Sequence, residues 1–407
     1  MNRRAILLFI FVIFIFLFLN GYILVGLQAV FANSLLPFLF WGFVLLLIAA
    51  FLLAIARFRN KGMDMFFNIT SHIFLMLLVG ELVFAGILLI DDGYRLLIAA
   101  FHYFGDVSNV QFPPRNVYWT CFGLLLFALT IVIFVHGISR GKYAYRVIKH
   151  TLFFNDLPEN FDGFKIAQIS DIHAGSFTNA KAVQRGINLI KQQAADLFVF
   201  TGDLVNHKAS EIAPWLDYFS QIKAPYGQFS ILGNHDYGDY IQWGSESEKR
   251  KNLEQLKNYH AQLGFRLLLD EHVTIHKNSE GIILAGVENW GVGFGQRGNL
   301  LKAFSNVDNH AFKVLLSHDP SHWEAEVKTN PFKIQLTLSG HTHGMQFGLE
   351  AFGIKWSPVK YRYAHWAGMT NLNGRYLNIN RGFGFIGFSG RVGIWPEITV
   401  IELKRKV

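Results

Sequence analysis

The first 140 residues consist of long apolar runs separated by short polar segments. No Asp, Glu, Lys or Arg lies between Ala5 and Ala56. Because a bilayer crossing takes about 20 apolar residues, this run is long enough for two membrane helices, with a break near Pro37. Two further apolar runs extend from Met65 to Ile90 and from Val117 to Ile138. The pattern predicts four transmembrane helices.

A cleaved signal peptide in front of a buried helical domain is the alternative interpretation of the first run. A signal peptide has an apolar region of about 7 to 15 residues, and the run from Ala5 to Ala29 is longer. Further apolar runs also follow it directly. We therefore treat the first run as a membrane helix.

Lys and Arg are concentrated in alternate polar segments. The amino terminus, the second loop and the segment after the fourth span are basic, whereas the first loop has no basic residue. The third loop contains Asp91, Asp92 and Asp106 and only two basic residues, Arg95 and Arg115. Because positive charge marks the cytoplasmic side, we expect a multi-pass protein of the cell membrane with both termini and the large C-terminal part in the cytoplasm. The basic residues are Arg3, Arg4, Arg57, Arg59, Lys61, Arg140, Lys142, Arg146 and Lys149.

After residue 150 the sequence changes to short apolar runs that alternate with helical segments. Buried strands are predicted for KIAQIS, DLFVFTG, GQFSILG, GIILAGV, KVLLSH and KIQLTLSG. Helices are predicted for residues 182–195 and 246–263. The alternation predicts a layered α/β domain. We therefore divide the chain into a membrane domain, residues 1–150, and an α/β domain, residues 151–407.

Polar side chains follow the predicted strands at their carboxyl ends. Taken alone, each is typical of a turn or a helix cap. Together they are expected at one edge of the sheet, which is where sheets of this kind bind ligands. The residues that could act at this edge are Asp171, His173, Asp203, Asn234, His235, Asp236, His318, His341 and His343.

Seven of these residues offer a mixture of carboxylate or amide oxygen and imidazole nitrogen. This mixture suits manganese, iron or zinc better than magnesium or calcium. Seven groups are too many for one four-coordinate ion, but they suffice for two divalent ions with one bridging carboxylate. Two such ions activate a hydroxide and bind the oxygens of a phosphoryl group. On an extended segment, His341 and His343 would face the site together while Thr342 points away.

Composition narrows the remaining possibilities. The 407 residues carry a formal net charge of +8 and are 51% hydrophobic, and no segment is typical of a nucleic-acid-binding module. Cys121 is the only cysteine, which excludes disulfides and cysteine-based zinc sites within the chain. His72 and Glu81 lie in the third span, where an ionisable residue is a functional candidate. A hydrogen bond between packed helices explains them equally well, and we assign them no role.

The order of these motifs resembles that of the calcineurin-like metallophosphoesterases. The resemblance covers roughly residues 160–402 and rests on Asp171-Ile172-His173, Gly202-Asp203, Gly233-Asn234-His235-Asp236, His318 and Gly340-His341-Thr342-His343. It implies a four-layer α/β/β/α sandwich behind an all-α domain of four transmembrane helices. It also implies a bridging role for Asp203, a first ion on Asp171, His173 and His343, and a second ion on Asn234, His318 and His341.

The resemblance implies a catalytic role for His235, which is not a metal ligand in this family. It would approach the leaving oxygen or the phosphoryl oxygens, with Asp236 orienting it. The closing strands also resemble those of small bacterial members, so Arg381 and Arg391 are candidates for contact with substrate phosphate. Surface arginines on a glycine-rich loop are the equally good alternative.

The function predicted is hydrolysis of a phosphoester or pyrophosphate bond by metal-activated hydroxide, catalysed by a membrane-anchored enzyme. A membrane anchor favours lipid-linked substrates, although it also serves to localise an enzyme for soluble diesters. The segment 351–369 is either a lipid-facing lip of the site or a loop packed on its own domain. The alternative function is a non-catalytic membrane receptor or scaffold that retains the metal site for ligand binding. A transporter has little support because the four spans show no repeat.

Overall fold

The computed structural model describes residues 3–61, 64–104, 112–351 and 353–406. Asp106, which contributed to the predicted orientation, lies outside the described residues. The chain forms two compact units, Met1–His136 and Gly137–Val407. The predicted boundary at residue 150 falls within a strand of the second unit, Arg146–Phe154. The division therefore comes earlier in the chain than the change in composition suggested.

The described part of the first unit contains four apolar helices that are long enough to cross a membrane. This confirms the four helices predicted from the sequence, although the third is longer than expected. It continues beyond Ile90 to Phe104 because the acidic side chains that follow have partners. Asp92 forms ion pairs with Arg95 at 2.6 Å and with Arg115 at 2.9 Å. The helices are α1 Arg3–Gln28, α2 Leu36–Lys61, α3 Met65–Phe104 and α4 Val117–Ser139.

Two ionisable residues of α3 make hydrogen bonds within the helix bundle. Glu81 accepts a hydrogen bond from Asn20 of α1, with 3.4 Å between Asn20 Nδ2 and Glu81 Oε2. The same amide donates to the Phe16 carbonyl oxygen at 3.0 Å, and Asn20 is fully buried. His72 contacts the carbonyl oxygen of Asn68 one turn earlier in α3. These contacts are those of helix packing.

The second unit contains sixteen strands and four α-helices in its described part. The helices are α5 Ala180–Gln192, α6 Leu216–Phe219, α7 Glu246–Leu263 and α8 Leu300–Ala303. The strands are β1 Arg146–Phe154, β2 Phe164–Ile169, β3 Leu197–Phe200, β4 Gln228–Ser230, β5 Arg266–Leu267, β6 Glu271–Lys277, β7 Glu280–Gly286, β8 Trp290–Gly291, β9 Gly295–Gln296, β10 Lys313–Leu316, β11 Leu336–Ser339, β12 Leu349–Ala351, β13 Ile354–Trp356, β14 Gly368–Leu372, β15 Arg375–Ile379 and β16 Glu397–Arg405.

Two six-stranded sheets form the centre of this unit, with strand orders β1-β16-β2-β3-β4-β5 and β14-β15-β11-β10-β7-β6. The alternation of side chains in β3 shows how they pack. Leu197 and Val199 join a buried cluster with residues of the second sheet, whereas Phe198 and Phe200 pack under α5, α6 and α7. On the far side, α8 and a helical turn at Trp323–Val327 cover the second sheet. The predicted four-layer α/β/β/α sandwich is confirmed.

Parallel strand pairs bring the polar loops to one edge. In the first sheet β2 pairs with β3 and β3 with β4, all in parallel. In the second sheet β10 is parallel to both β7 and β11. The carboxyl ends of parallel neighbours lie at the same edge of a sheet. The loops after β2, β3, β4, β10 and β11 are therefore the ones that carry the candidate site residues.

One buried histidine of α7 should make the stability of the fold pH-dependent. His260 is fully buried, and its Nδ1 lies 2.9 Å from the hydroxyl of Ser230. Burial lowers the pKa of His260 to about 3, whereas an unfolded histidine has a pKa of about 6.5. The unfolded state therefore binds the extra proton below pH about 6.5. Buried, neutral His260 therefore gives its full contribution to stability above that pH. Below it, the free energy of unfolding falls by about 1 kcal/mol per pH unit.

We expect His260→Phe to flatten this pH dependence. The melting temperature of the full chain in detergent should fall from pH 7 to pH 4.5. In the variant, the free energy of unfolding should fall less steeply, by about 1 kcal/mol per pH unit less than in the wild type. In the variant the Ser230 hydroxyl loses its partner, which lowers the free energy of unfolding by an amount that does not vary with pH. His310, which is exposed, provides the control, since His310→Phe should keep the wild-type slope. An unchanged slope in His260→Phe would contradict the prediction.

Candidate metal centre

The first group of candidate ligands comes from the loops after β2 and β11. Asp171, His173 and His343 are buried and could hold one ion together. Nε2 of His343 lies 3.2 Å from Oδ1 of Asp171 and 3.0 Å from Nε2 of His173. Donor atoms about 2.0 to 2.2 Å from a common ion would have such separations. The three side chains thus point at one position.

The second group gathers side chains from four loops. Asp203, His318 and His341 could hold an ion together, and Asn234 lies among them. Oδ1 of Asn234 is 2.8 Å from Nδ1 of His341 and 3.2 Å from Nε2 of His318. Nε2 of His318 is in turn 3.2 Å from Oδ2 of Asp203. These four groups converge as tightly as the first three.

A single carboxylate oxygen joins the two groups. Oδ2 of Asp203 lies 3.6 Å from Nε2 of His173 in the first group and 3.2 Å from Nε2 of His318 in the second. The other oxygen, Oδ1, accepts a hydrogen bond from the backbone N–H of His235 at 2.8 Å. The Asp203 side chain is therefore fixed with one oxygen directed between the two groups.

The residues present fit a pair of divalent transition ions. His318 Nδ1 lies 2.7 Å from the Thr201 carbonyl oxygen, to which it donates, so Nε2 is left as a ligand. His341 Nε2 lies 3.3 Å from Asp319 Oδ2, which leaves Nδ1 toward Asn234. Metal-binding histidines characteristically donate their other ring N–H to such an acceptor. The mixture of nitrogen and oxygen donors suits manganese, iron or zinc.

Burial and charge set the protonation of the imidazoles. Burial lowers the pKa of His173 well below its usual range and the pKa of His341 to about 4. Burial also opposes protonation of His318, but the Asp203 carboxylate outweighs it and raises the pKa of His318 to about 10. His173 and His341 are therefore neutral at pH 7, as metal ligands must be. An ion that binds His318 displaces a proton.

The local backbone differs from the extended segment predicted for His341 and His343. Both residues have left-handed backbone angles, with φ of 71° and 49°, and Thr342 between them is helical. The two side chains consequently join different groups rather than facing one position from one strand. Asp171, His173 and Asp203 also have positive φ. Such angles are costly for residues other than glycine and cluster at functional sites.

His235 lies at the edge of the cavity beside the two groups. Its Nδ1 is 2.8 Å from the Asn206 carbonyl oxygen and donates to it. Its ring packs at 4.6 Å from that of Tyr240 and edge-on at 5.0 Å from that of His173. The imidazole is thus held in one orientation, with Nδ1–H committed to that carbonyl and Nε2 left as the other ring nitrogen.

Asp236 has a different part from the one predicted, because its carboxylate does not orient His235. It accepts hydrogen bonds from the backbone N–H groups of Asp203 at 2.9 Å, Leu204 at 2.8 Å and Gly233 at 2.8 Å. These contacts connect the loop after β3 to the loop after β4. Asp236 therefore positions the ligand loops. The group that orients His235 is a main-chain carbonyl.

Two positioning residues were missed by sequence reasoning. The Tyr240 hydroxyl accepts a hydrogen bond from Asn234 Nδ2 at 2.8 Å, which directs Oδ1 of that amide into the second group. Asp319 holds His341 and accepts a hydrogen bond from the Tyr363 hydroxyl at 3.2 Å. Asp319 directly follows His318, but nothing in the spacing connects it to His341. Tyr240 lies in a loop without any pattern.

The two arginines considered for substrate phosphate have internal partners. Arg381 forms a bidentate pair with Glu350 at 2.9 and 2.6 Å and also contacts Glu397. Arg391 is fully buried and donates through Nε and Nη2 to the carbonyl oxygen of Gly384 at 3.0 and 2.6 Å. Neither residue is among those that line the described cavity. Both arginines are thus committed to contacts within their own unit, and substrate contact by Arg381 or Arg391 stays a prediction.

A cavity of about 560 Å³ adjoins the candidate ligands. Arg362 is the only Lys or Arg among the lining residues that the structure describes, and its guanidinium lies 4.5 Å from the centre of the Phe294 ring. That ring lies 4.5 Å from the ring of His341. The remaining wall is mostly apolar, with Met345, Pro358, Val359, Tyr361, Ile386 and Phe388. The cavity thus combines one cation with an apolar wall.

Comparison with known proteins agrees with this architecture. The family described as "Calcineurin-like phosphoesterase" matches residues 164–345, and "Probable Calcineurin-like phosphoesterase, transmembrane domain" matches residues 3–142. The chain is 30% identical to "Uncharacterized metallophosphoesterase YkuE" of Bacillus subtilis, over 63% of this chain and 84% of the relative. It therefore belongs to the calcineurin-like phosphoesterase family, and its four apolar helices make it a membrane protein.

Two further relatives are similar to about two thirds of this chain. "Transmembrane protein with metallophosphoesterase domain" of Danio rerio is 26% identical, and the match covers 69% of this chain and 62% of the relative. "Phosphodiesterase YaeI" of Escherichia coli is 27% identical, over 64% of this chain and 88% of the relative.

Proposed function

We propose that the chain is a membrane-anchored phosphoesterase that works with two divalent ions, manganese, iron or zinc. The observation that carries this proposal is the position of Asp203 Oδ2 between two convergent groups of ligands. When bound, such ions supply Lewis acidity toward a phosphoryl group and activate water as the nucleophile. The first ion would be held by Asp171, His173 and His343, and the second by Asn234, His318 and His341, with Asp203 shared.

His235 supplies the proton that the leaving oxygen needs. Because Nδ1–H is committed to the Asn206 carbonyl, the protonated imidazole donates from Nε2 and becomes neutral. A positioned general acid contributes about 10² to 10⁴-fold to such a step. Asp236 assists indirectly by holding the loops that carry Asp203 and Asn234.

The substrate combines a phosphoester or pyrophosphate with an apolar group. The apolar wall of the cavity fits a hydrocarbon chain, and Arg362 provides a cation for an anionic phosphoryl oxygen. The membrane helices favour substrates that stay in the bilayer, such as a lipid phosphate or a lipid-linked pyrophosphate. The name of the Escherichia coli relative, a phosphodiesterase, supports a diester. The distribution of Lys and Arg supports a catalytic unit in the cytoplasm.

Removal of metal tests this function. The purified full chain in detergent, supplied with Mn²⁺, should release product from at least one of three substrates, a monoester, a diester or a lipid pyrophosphate. A chelator should lower turnover by about 10³-fold, since several kcal/mol of transition-state stabilisation comes from the ions, and added Mn²⁺ should restore it. Two bound ions without turnover of any substrate would favour the receptor instead.

A further inference from the structure

A β-hairpin beside the cavity presents its apolar face to the outside. In the pair β12–β13, Leu349 lies opposite Trp356 and Ala351 lies opposite Ile354. Directly opposed residues share a face of the hairpin, and alternate residues along a strand do so as well. Leu349 is 43% exposed and Ile354 is 54% exposed. One face of the hairpin is therefore apolar and partly open.

The polar face of the same hairpin is bound to its own unit. Glu350 accepts two hydrogen bonds from the buried Arg381, and the Lys355 ammonium donates to the Ala367 carbonyl oxygen. The polar side chains thus have partners within the unit, whereas in most strand pairs it is the apolar face that packs inward. The polar contacts fix which face points outward. An open apolar face held in this way calls for a covering partner.

Exposed side chains close to the hairpin in sequence border the cavity. Met345 is 55% exposed and Tyr361 is 77% exposed, and both line the cavity. Lys360 and Arg362 beside them are exposed as well. Tyrosine and basic side chains next to apolar ones are typical of proteins at the surface of a bilayer, and basic charge adds attraction to anionic lipids.

We propose that this surface, formed by Met345, Leu349, Ile354, Lys360, Tyr361 and Arg362, docks on an anionic lipid bilayer at the entrance to the cavity. The four membrane helices tether every copy of the unit to a bilayer, so even a weak surface is exposed to a high local concentration of lipid. Docking gives a lipid phosphoester a route into the cavity without leaving the bilayer. The route into the cavity rests on the proposed function, whereas the docking itself does not.

Fluorescence of a labelled hairpin tests the docking directly. The full chain carrying Cys121→Ser and Ile354→Cys is labelled with an environment-sensitive nitrobenzoxadiazole group and placed in nanodiscs of phosphatidylcholine with phosphatidylglycerol. We expect emission to shift to shorter wavelength and doxyl-labelled lipids to quench it. The control is Leu301→Cys in the same background, because Leu301 is an equally apolar residue that is 74% exposed on a different element, α8.

The outcomes separate lipid from other partners. Absent quenching at position 354, or equal quenching at 301 and 354, would overturn the proposal and leave a protein as the partner of the hairpin. Equal quenching with and without phosphatidylglycerol would overturn the preference for anionic lipid. These results do not depend on catalysis, so they remain decisive even when no phosphoester is hydrolysed.

A second experiment tests whether the surface brings the substrate to the cavity. The variant Leu349→Ser with Ile354→Ser should hydrolyse a vesicle-bound phosphoester several-fold more slowly, while turnover of soluble bis(p-nitrophenyl) phosphate stays at the wild-type level. Leu301→Ser should affect neither substrate. An equal loss on both substrates would show damage to the fold and would overturn the proposed route from the bilayer.

Discussion

Asp203→Asn is expected to lower turnover by about three powers of ten or more and to reduce the metal content of the protein. The carboxylate contributes one oxygen to both groups of ligands, so its loss weakens the binding of both ions at once. Several kcal/mol of transition-state stabilisation by the ions corresponds to about 10³-fold in rate. Metal per protein by mass spectrometry and turnover of a diester provide the measurements.

The amide keeps the shape of the side chain and an oxygen able to accept the hydrogen bond from the His235 backbone. The variant should therefore fold, but its melting temperature without metal should fall, because the buried pair between the Asp203 carboxylate and His318 is lost. Asp162→Asn is the matched control, because Asp162 is an exposed aspartate on the same unit whose side chain is 47% exposed. Two ions per chain and wild-type turnover in Asp203→Asn would contradict the bridging role.

The sequence predicted the architecture because the physical signals are strong there. Four apolar runs identify membrane helices by length alone. In the second unit, short apolar runs identify the strands, and their polar ends lie at one sheet edge once neighbouring strands are parallel. Asp171, Asp203 and His318 could be selected for this reason, since each lies within three residues of the end of a strand.

The conformation of the loops was not predictable in the same way. His341 and His343 are two residues apart, which in an extended segment places them on one face. Gly340 and Gly344 instead flank a tight turn with left-handed residues. The spacing of the two histidines therefore identified them as site residues but gave the wrong local geometry.

Contacts between residues distant in the chain also could not be predicted from the sequence. Arg391 lies in a glycine-rich segment typical of a surface loop, yet it is fully buried and binds main-chain carbonyls. Asp236 follows His235 directly, but adjacent residues need not touch, and its carboxylate holds backbone amides instead. The acceptor for His235 is a carbonyl of Asn206, and every residue has such a carbonyl. Only the fold shows which one is used.

Replacing His235 by asparagine is expected to lower turnover by about two to four powers of ten while metal content stays unchanged. The side chain donates to Asn206 and is not among the grouped metal ligands, so its loss removes the proton donor and leaves the ligands in place. The penalty should depend on the leaving group. An alkoxide needs the proton, whereas p-nitrophenolate leaves without help, so the loss should be far smaller with nitrophenyl esters.

This dependence separates catalysis from damage to the fold. His207→Asn is the matched control, because the His207 ring lies 5.9 Å from that of His235 but is not among the lining residues of the cavity. It should change turnover by no more than a few-fold. An equal loss with alkyl and nitrophenyl esters in His235→Asn, or a parallel loss of metal, would show that His235 acts by supporting the site. A loss confined to poor leaving groups assigns the proton to Nε2 of His235.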